Sequence, residues 1–466
     1  MPCGFTGVDV AADVTIALRI PSRGAIEYSR YGWRVDSSAR RGGLLTDKYE
    51  LTMLAAALRD GTAGRRTSFE LFARRLPEGR RYGVVAGTDR FLEALTAFGF
   101  DDAALHLLSA FLDPETLSYL ADFRFRGDVD GYPEGELYFA GSPVLSVHGS
   151  FAECIVLETL LLSIFNHDTA IASAAARMVS AADDRPLIEM GSRRTHEHAA
   201  VAAARAAYLA GFAGTSNLEA HRRFGVPVLG TSAHAFTLLH SGAEGELAAF
   251  RSQVAAQGVD TTLLVDTYDV STGVTNAVQA AGPRLGAVRI DSGELAVLAH
   301  QVRDQLDRLG ATATKIVVSG DLDEYAIAAL RAAPVDSYGV GTALVTGSGA
   351  PAAGFVYKLV EVEGRPVQKR SADKTSAGGR KQALRVSRPS GTLVEEVVHP
   401  AGRPPQDSGR VLTVPLVRGG DVVADTGATA LAAARDRVAS GLRSLPWEGL
   451  KLAHGEPAIP TRLILR

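Results

Sequence analysis

The sequence predicts an α/β fold: an irregular, TIM-like βα barrel with a second α+β domain built from the N-terminal third and the C-terminal segment. Three observations support this prediction. Short apolar runs alternate with helical patterns between residues 186 and 345. An alanine-rich helical stretch over 152–182 precedes them, and the flanking segments are rich in short strands and turns. So many consecutive βα repeats favour closure into a barrel over an open sheet.

These patterns divide the 466 residues into four parts. Residues 1–40 have weak periodicity, and we expect them to be a poorly ordered extension. Residues 41–151 have the pattern of an N-terminal α+β domain, and 152–350 that of the βα-barrel catalytic domain. Residues 351–466 are strand-rich, and we expect them to pack on the N-terminal domain.

Composition excludes several classes of protein. The net charge is −3, which gives no attraction to nucleic acid or to an anionic membrane, so neither partner is expected. The apolar run over 155–165 contains Glu158 and falls short of the roughly 18 residues that span a bilayer. The first residues do not have the pattern of a signal peptide. The two cysteines, Cys3 and Cys154, indicate a reducing compartment, so we expect a cytoplasmic protein.

Polar residues or glycines follow each apolar run of the predicted barrel. Active sites of βα barrels lie at the carboxyl ends of their strands. One Asp or Ser after a strand is commonly a structural cap, but a whole set favours a lined pocket. Among these strand-end residues are Arg193, Ser216, Thr231, His234, Asp266, Arg289, Asp291, Ser319, Gly320, Asp321, Gly341 and Thr342.

Two of these strand ends have the pattern of phosphate-binding turns. In "SGDLDEY" and "GVGTALV" a glycine stands between a strand and the start of a helix, at Gly320–Asp321 and Gly341–Thr342. Glycine lets the backbone approach an anion, and a helix N-terminus directs N–H groups at it. Two ordinary βα turns are the alternative interpretation.

Arginines at the strand ends add a second indication of an anionic substrate. The guanidinium groups of Arg193 and Arg289 can each hold a carboxylate or phosphate through a fork of hydrogen bonds. A structural ion pair, for example with Asp291, is the alternative for either arginine. The residues alone therefore predict a barrel enzyme that acts on a phosphorylated small molecule.

His234 is the strand-end residue whose role is least obvious. A hydrogen-bonded structural histidine is the plain interpretation, but a neutral imidazole is also a competent nucleophile toward a phosphoryl group. His196 and His198 are two residues apart on a predicted helix and so do not share a face. We find no cluster with zinc-like spacing and predict no structural metal.

The order of the motifs resembles that of the nicotinate phosphoribosyltransferase family. The resemblance covers about residues 42 to 390. The motifs that carry it are "LLTDKYELTM", "FELFARRLPEGRRYGVVAG", "LETLLLSIFNHDTAIASAAARM", "EMGSRRTHEHAAVAAARAAYLAGFAGTSN", "VPVLGTSAHAF", "LLVDTYDV", "VRIDSGEL", "VVSGDLDEY", "YGVGTALV" and "RPVQKRSADKTSAGGRKQALR".

The resemblance implies a reaction of NAD salvage. Nicotinate and phosphoribosyl pyrophosphate would give nicotinate mononucleotide and pyrophosphate, with ATP as a co-substrate and Mg²⁺ as the cofactor. The family resemblance places His234 at the histidine that ATP transiently phosphorylates. Asp266, Asp291 and Asp321 are the carboxylates that could hold metal or ribose hydroxyls.

Further roles follow from the resemblance residue by residue. Tyr49 matches a tyrosine that reaches into the partner subunit's site and stacks on the pyridine ring, which implies a homodimer with shared active sites. Arg193 and Arg289 match arginines near the nicotinate carboxylate and the phosphoribosyl group, and Asp291 matches the ribose contact. The phosphate end is matched by Gly320, Asp321, Gly341 and Thr342.

Two positions bear on the choice of pyridine substrate. Ser216 stands where the related nicotinamide-using enzymes have an aspartate, which would repel a carboxylate, so the acid is the expected substrate. Met190 replaces the aromatic residue that the family usually places on one face of the ring. Methionine can still pack on a ring through its sulfur, but we expect weaker stacking.

Other functions remain as alternatives at this stage. A nicotinamide phosphoribosyltransferase is disfavoured by Ser216, and a quinolinate enzyme would need further cationic residues for a second carboxylate. A nucleotide-binding barrel oxidoreductase would need a cysteine nucleophile in its loops, whereas Cys154 lies in the first predicted helix. A non-catalytic homologue is disfavoured by the number of site residues present.

Overall fold

A computed structural model describes residues 42–240, 242, 244–369, 377–403 and 405–464. The extension predicted for residues 1–40 and residues 370–376 of the motif "RPVQKRSADKTSAGGRKQALR" lie outside the described residues. Every residue predicted for the site lies within the described residues.

The described residues form helices that run from the N-terminal third to the C-terminal segment. In chain order the α-helices are α1 Lys48–Arg59, α2 Thr88–Ala97, α3 Asp102–Leu108, α4 Pro114–Ala121, α5 Phe151–Ile155, α6 Glu158–Ala182, α7 Glu197–Ala210, α8 Leu218–Phe224, α9 His234–Leu239, α10 Gly245–Gln257, α11 Val270–Ala281, α12 Leu295–Arg308, α13 Glu324–Ala329, α14 Thr342–Val345 and α15 Gly427–Ser444. Short 3₁₀ turns cover Gly42–Leu44, Leu330–Ala332 and Trp447–Leu450.

The strands are short in the middle of the chain and longer near its ends. In chain order they are β1 Arg66–Ala73, β2 Gly83–Val84, β3 Asp128–Gly131, β4 Leu137–Tyr138, β5 Leu145–Ser150, β6 Leu187–Glu189, β7 Gly214–Thr215, β8 Thr262–Leu264, β9 Ala287–Ile290, β10 Lys315–Val318, β11 Ser337–Val340, β12 Phe355–Val362, β13 Arg365–Pro366, β14 Lys381–Ser387, β15 Leu393–Pro400, β16 Arg410–Val411, β17 Val414–Arg418, β18 Asp421–Val422 and β19 Thr461–Leu463.

The middle of the chain forms a curled parallel sheet, as the alternating pattern predicts. Its six strands have the order β7-β6-β11-β10-β9-β8, and every ladder between them is parallel. Each strand is followed along the chain by helix, which is the βα arrangement. The α/β prediction is confirmed, and the carboxyl ends of these strands lie along one edge.

The closed barrel is not confirmed by the ladders of the described residues. The apolar run that starts at Val226 was expected to form a full strand, but only Val228 forms a parallel bridge, to Thr215. The carbonyl of Pro227 accepts from Thr215 N at 2.9 Å, and Leu229 N donates to Thr215 O at 2.9 Å. Proline cannot donate to a ladder, so the run makes one bridge instead of a longer strand. The sheet is therefore a half-barrel whose open side lies between Val228 and β8.

Strands from both ends of the chain share a second sheet, whose ladders are all antiparallel. Its order is β13-β12-β1-β5-β3-β17-β18, so β12 and β17 from the C-terminal segment pair with β1 and β3. Helices α1 to α5 and the early part of α6 pack on this sheet around one apolar cluster. The division into domains at residues 151 and 350 stays a prediction.

Helix α6 connects the two largest apolar clusters of the described residues. Its N-terminal residues, such as Leu161 and Phe165, pack with the antiparallel sheet, and its C-terminal alanines pack with the half-barrel. The segment Phe151–Ala182 is long and apolar enough to meet the length and composition criteria for a membrane span. However, 67% of its most apolar window is buried inside the fold, so it is a core helix here.

Candidate active site

Arg289 organises the polar residues at the strand ends. It lies on β9, and its side chain is only 13% exposed. Its Nε donates to Ser319 Oγ at 2.7 Å, its Nη1 to Thr231 Oγ1 at 3.0 Å and its Nη2 to Asp291 Oδ1 at 2.8 Å. The three partners come from three different βα turns. The guanidinium fork therefore fixes the relative positions of those turns.

Asp291 pairs with Arg289, which was the structural alternative raised by the sequence. Burial opposes ionisation of this carboxyl, but the hydrogen bond from Ser319 and the guanidinium of Arg289 together hold the pKa of Asp291 below its usual range. Its side chain is 34% exposed, so the ionised carboxylate is partly accessible from solvent. An ion pair inside the fold and a contact to a substrate are thus compatible at this residue.

Asp266 is the second carboxylate of the cluster. It follows β8, and its Oδ2 accepts hydrogen bonds from Asp291 N and from Ser292 Oγ, both at 2.8 Å. Its Oδ1 is buried and has no partner among the described residues. Buried carboxylate oxygens are normally paired, so an unpaired one is unusual. This oxygen is therefore available to accept a hydrogen bond from a bound group.

His234 stands beside these carboxylates at the start of α9. Its Nδ1 lies 3.1 Å from Thr267 Oγ1, within hydrogen-bonding distance, and its Nε2 lies 4.0 Å from Asp266 Oδ1. The latter separation is longer than a hydrogen bond. The side chain is 40% exposed, so the ring combines an anchored side with an accessible one.

The first predicted phosphate turn, Gly320–Asp321, packs against the Asp291 backbone of the same cluster. Gly320 has φ +112°, and a Cβ atom on it would lie 2.4 Å from the carbonyl oxygen of Asp291, so only glycine fits there. Asp321 has φ +48°, in the left-handed region that is uncommon for residues other than glycine. Backbone strain of this kind is often stored at functional sites.

The helix N-terminus expected after this turn is already occupied. Helix α13 begins at Glu324, and the Asp323 side chain accepts from Tyr325 N at 2.9 Å and from Ala326 N at 2.8 Å. A capping carboxylate thus holds these two amides, and the expectation that this turn binds a phosphate stays a prediction. What the turn offers to a ligand is the backbone at Gly320 and Asp321.

The second predicted phosphate turn lies next to the predicted pyridine residues. A Cβ atom on Gly341 would lie 3.4 Å from the carbonyl oxygen of Met190, and Met190 N donates to Val340 O at 2.8 Å. The sulfur of Met190 packs over Gly339, where an added Cβ would be only 2.8 Å away. Thr342 is exposed and begins the short helix α14.

Arg193 and Ser216 lie on neighbouring turns after β6 and β7. Both side chains are exposed at the strand-end edge. Ser216 N donates to the carbonyl of Glu189 at 2.9 Å, which fixes its backbone against β6. The structure thus places the predicted carboxylate-binding arginine and the predicted specificity residue on adjacent strands.

Tyr49 lies apart from the cluster. It is on α1, its residue is 46% exposed, and burial together with Glu158, Glu50 and Asp47 raises its pKa to about 12. None of the hydrogen bonds found among the described residues connects it to the strand ends.

The sequence singled out most, but not all, of the residues that make up the site. His234, Asp266, Arg289, Asp291 and Gly320 form one connected group, whose geometry is described above. Two contributors were missed, Thr267 and Glu189. Nothing marks Thr267 in the sequence except its position beside Asp266. Glu189 could have been found, because it is an ionisable residue at the end of an otherwise apolar run.

The half-barrel brings polar strand-end residues together at one edge, and comparison with known proteins identifies the family of the chain. Residues 44–166 match the nicotinate phosphoribosyltransferase N-terminal domain, and residues 186–391 match the nicotinate phosphoribosyltransferase family. The chain belongs to this family.

Relatives and solved structures agree with this assignment. The chain is 74% identical over 429 residues to nicotinate phosphoribosyltransferase pncB1 of Mycobacterium tuberculosis, which covers 91% of this chain and 95% of that protein. It is 39% identical over 378 residues to the nicotinate phosphoribosyltransferase of Bacillus subtilis, covering 76% and 74% of the two chains. The crystal structure of human nicotinic acid phosphoribosyltransferase superposes with a TM-score of 0.78 at 27% identity, covering 90% of this chain and 97% of that chain.

Proposed function

We propose that the protein condenses nicotinate with phosphoribosyl pyrophosphate to form nicotinate mononucleotide and pyrophosphate, and so salvages nicotinic acid for NAD. The observation that carries this proposal is the Arg289 cluster, which joins three strand-end turns in a chain of the nicotinate phosphoribosyltransferase family. Ser216 supports nicotinate over nicotinamide, because no carboxylate stands at that position to repel the acid.

In the proposed reaction the pyridine nitrogen forms a bond to the anomeric carbon as the bond to pyrophosphate breaks. Positive charge would develop on the ribose, and the ionised Asp291 would stabilise it and hold a ribose hydroxyl. Arg193 would bind the nicotinate carboxylate, and Met190 would pack on one face of the ring. The backbone of Gly320–Asp321 and of Gly341–Thr342 would bind phosphate groups.

Mg²⁺ is the expected cofactor, and the carboxylates present fit it. Asp266 Oδ1 is a buried oxygen without a partner among the described residues, and Asp291 is partly exposed beside it. Mg²⁺ is commonly held by one or two carboxylates together with substrate phosphates. When bound, the ion would neutralise charge on the leaving pyrophosphate. The described residues contain no group of three ligating side chains, so the substrate would supply the other ligands.

ATP coupling is proposed to pass through His234. A neutral ring nitrogen would attack the γ-phosphorus of ATP, a nitrogen–phosphorus bond would form, and the bond to ADP would break. Thr267 and Asp266 flank the ring and would fix its orientation. Hydrolysis of the phosphohistidine later returns free phosphate. The added charge would order the pyrophosphate end of the pocket.

The proposal also includes a homodimer in the cytoplasm with shared sites. Tyr49 is exposed, and none of the hydrogen bonds of the described residues connects it to the cluster, so it would be available to a partner's site. Exposed apolar side chains lie beside His234, namely Leu238, Leu239 and Tyr268, and a second copy could cover them. In the strand order β7-β6-β11-β10-β9-β8, strands β6 and β11 are neighbours, and the sheet is open only between its two edge strands. We therefore also propose that the half-barrel is an irregular form of the βα barrel.

A single reaction series tests this function. Purified protein would be incubated with nicotinate, phosphoribosyl pyrophosphate and Mg²⁺, with and without γ-³²P-labelled ATP, and products would be resolved by mass spectrometry. We expect nicotinate mononucleotide and pyrophosphate, and an acid-labile label on the wild type that is absent from His234→Ala. His196→Ala, an exposed histidine away from the cluster, is the matched control and should keep the label. A label that persists in His234→Ala would remove His234 from its role.

A further inference from the structure

Glu189 is a buried carboxylate located between the two turns that carry the predicted pyridine-binding residues. It ends β6, is 0% exposed, and pairs in register with Thr215 of β7 and Val340 of β11. Buried carboxylates are normally matched by a cation. The side chain of Glu189 instead accepts from Gly191 N and from Thr215 Oγ1, so both of its hydrogen-bond partners among the described residues are neutral.

The surroundings of Glu189 are costly for a charged group. Burial raises its pKa, which the hydrogen bonds from Thr215 and Gly191 only partly offset. A carboxylate in this position therefore gives no advantage in stability over an apolar side chain of similar size. What distinguishes it chemically is that its two oxygens accept two hydrogen bonds at once, whereas a glutamine amide accepts on one side and donates on the other.

Glu189 belongs to a ring of hydrogen bonds that joins the two turns at two places. Thr215 Oγ1, which donates to Glu189, accepts from Asn217 N at 2.9 Å. Asn217 Nδ2 in turn donates to Ser192 Oγ at 2.9 Å. The turn after β6 and the turn after β7 are thus connected once through Glu189 and once through Asn217.

Gly191 makes this arrangement possible. A Cβ atom there would lie 2.2 Å from Val345 Cγ1 and 3.0 Å from Glu189 Oε1, so any other residue would push the carboxylate away from the backbone amide. A side chain at this position would crowd both Val345 and the carboxylate, so glycine suits the folding of the turn back onto its own strand. The ring therefore depends on the sequence Glu189-Met190-Gly191 as a unit.

We propose that Glu189 is a positioning residue that sets the separation between Met190 and Arg193 on one turn and Ser216 on the other, and thereby the fit of the pyridine substrate. This inference rests on the proposed function, since those residues are the proposed nicotinate contacts. Glu189 acts through Gly191 and Thr215, so its loss should affect nicotinate more than phosphoribosyl pyrophosphate.

Glu189→Gln tests the proposal with little change in shape. If the amide oxygen accepts from Gly191 N, the amide NH₂ group faces Thr215 Oγ1, and the Thr215 hydroxyl loses the acceptor to which it donates. We expect KM for nicotinate to rise about tenfold, which corresponds to one lost hydrogen bond, with KM for phosphoribosyl pyrophosphate within about twofold. Glu246→Gln is the matched control, because Glu246 is also buried, has a raised pKa and accepts from the neutral Asn276 on the outer helices.

A double-mutant cycle with Thr215→Val separates positioning from general destabilisation. If Glu189 acts through the Thr215 hydroxyl, Glu189→Gln should raise KM for nicotinate far less in the Thr215→Val background than in the wild type. The proposal would be overturned if the effects of Glu189→Gln and Thr215→Val on KM for nicotinate were fully additive. It would also be overturned if KM for nicotinate and KM for phosphoribosyl pyrophosphate rose equally, or if Glu246→Gln changed KM for nicotinate as much as Glu189→Gln does.

Hydrogen–deuterium exchange of the unliganded proteins gives a readout independent of activity. Amides of residues 190–193 and 215–217 should exchange faster in Glu189→Gln than in Glu246→Gln, because the two turns are no longer tied together. Unchanged exchange in both segments would contradict the bridge even in a fully active enzyme. If the wild type does not use nicotinate, the proposed function fails, while this exchange result still decides whether Glu189 holds the turns.

Discussion

Replacing Arg289 with lysine should weaken the site without removing its charge. The guanidinium donates to Ser319, Thr231 and Asp291 at 2.7, 3.0 and 2.8 Å, and a single ammonium cannot reach three partners on three turns. We expect the ammonium to keep the Asp291 contact and to lose the other two hydrogen bonds. Each hydrogen bond from a charged donor contributes about 1.5 kcal/mol, so the loss is about 3 kcal/mol.

This loss predicts a decrease of roughly 100-fold in kcat/KM for phosphoribosyl pyrophosphate. Initial rates of mononucleotide formation at saturating nicotinate would measure it. The matched control is Arg222→Lys, since Arg222 forms an exposed pair with Glu219 on α8 and should leave the rate unchanged. A decrease of less than about threefold in Arg289→Lys would refute the reasoning that the fork holds the three turns together.

Three further predictions concern single carboxylates and Ser216. Burial raises the pKa of Glu50 from 4.5 to about 7, so the folded state holds this proton more tightly than the unfolded state and its stability falls as pH rises between those values. Urea unfolding should show that the free energy of unfolding of Glu50→Gln rises relative to that of the wild type by up to about 3 kcal/mol between pH 4.5 and pH 8. The same dependence of the free energy of unfolding on pH in both proteins would contradict this. Ser216→Asp should lower kcat/KM for nicotinate at least about tenfold and raise that for nicotinamide, and an unchanged ratio would argue against a contact there. Glu324→Gln should lower the free energy of unfolding by about 3 kcal/mol, because Glu324 pairs with the buried Arg80 and Arg177, and a loss below about 0.5 kcal/mol would contradict that network.

Local patterns in the sequence were enough to predict the parallel βα core. The alternation of apolar runs and helices is a short-range signal, and β6 and β8 to β11 all form where the runs occur. The strand predicted for the run at Val226 does not form, because Pro227 limits the run to one bridge. Whether a curled sheet closes depends on pairing between strands that are far apart in sequence. Barrel closure therefore could not be deduced from periodicity.

The candidate site was predictable in its membership but not in its connections. Strand ends of a parallel sheet meet at one edge, so Asp266, Arg289 and Asp291 were expected together. The hydrogen-bond partner of each residue could not be predicted, because hydrogen bonds between turns depend on side-chain geometry. Asp323 shows the limit, since it caps α13 and occupies amides that the motif alone assigned to a phosphate.

The ends of the first described helix show the same limit. The stretch "LLTDKYELTMLAAALRDG", residues 44–61, has the pattern of a helix capped by Thr46 or Asp47 with Glu50 in its first turn. The helix runs from Lys48 to Arg59, and Asp47 makes no side-chain capping hydrogen bond. Glu50 instead accepts from Thr159 at the start of α6, a tertiary contact that no local pattern reveals.

The proposed function makes the protein a phosphoribosyltransferase for the acid form of the pyridine. The most direct test is the ratio of kcat/KM for nicotinate to that for nicotinamide, measured on the wild type with phosphoribosyl pyrophosphate, Mg²⁺ and ATP. The arrangement of Arg193 and Ser216 predicts a preference for nicotinate of at least roughly 100-fold, about 3 kcal/mol for a carboxylate bound by a guanidinium. Equal use of the two bases, or a preference for nicotinamide, would contradict the account.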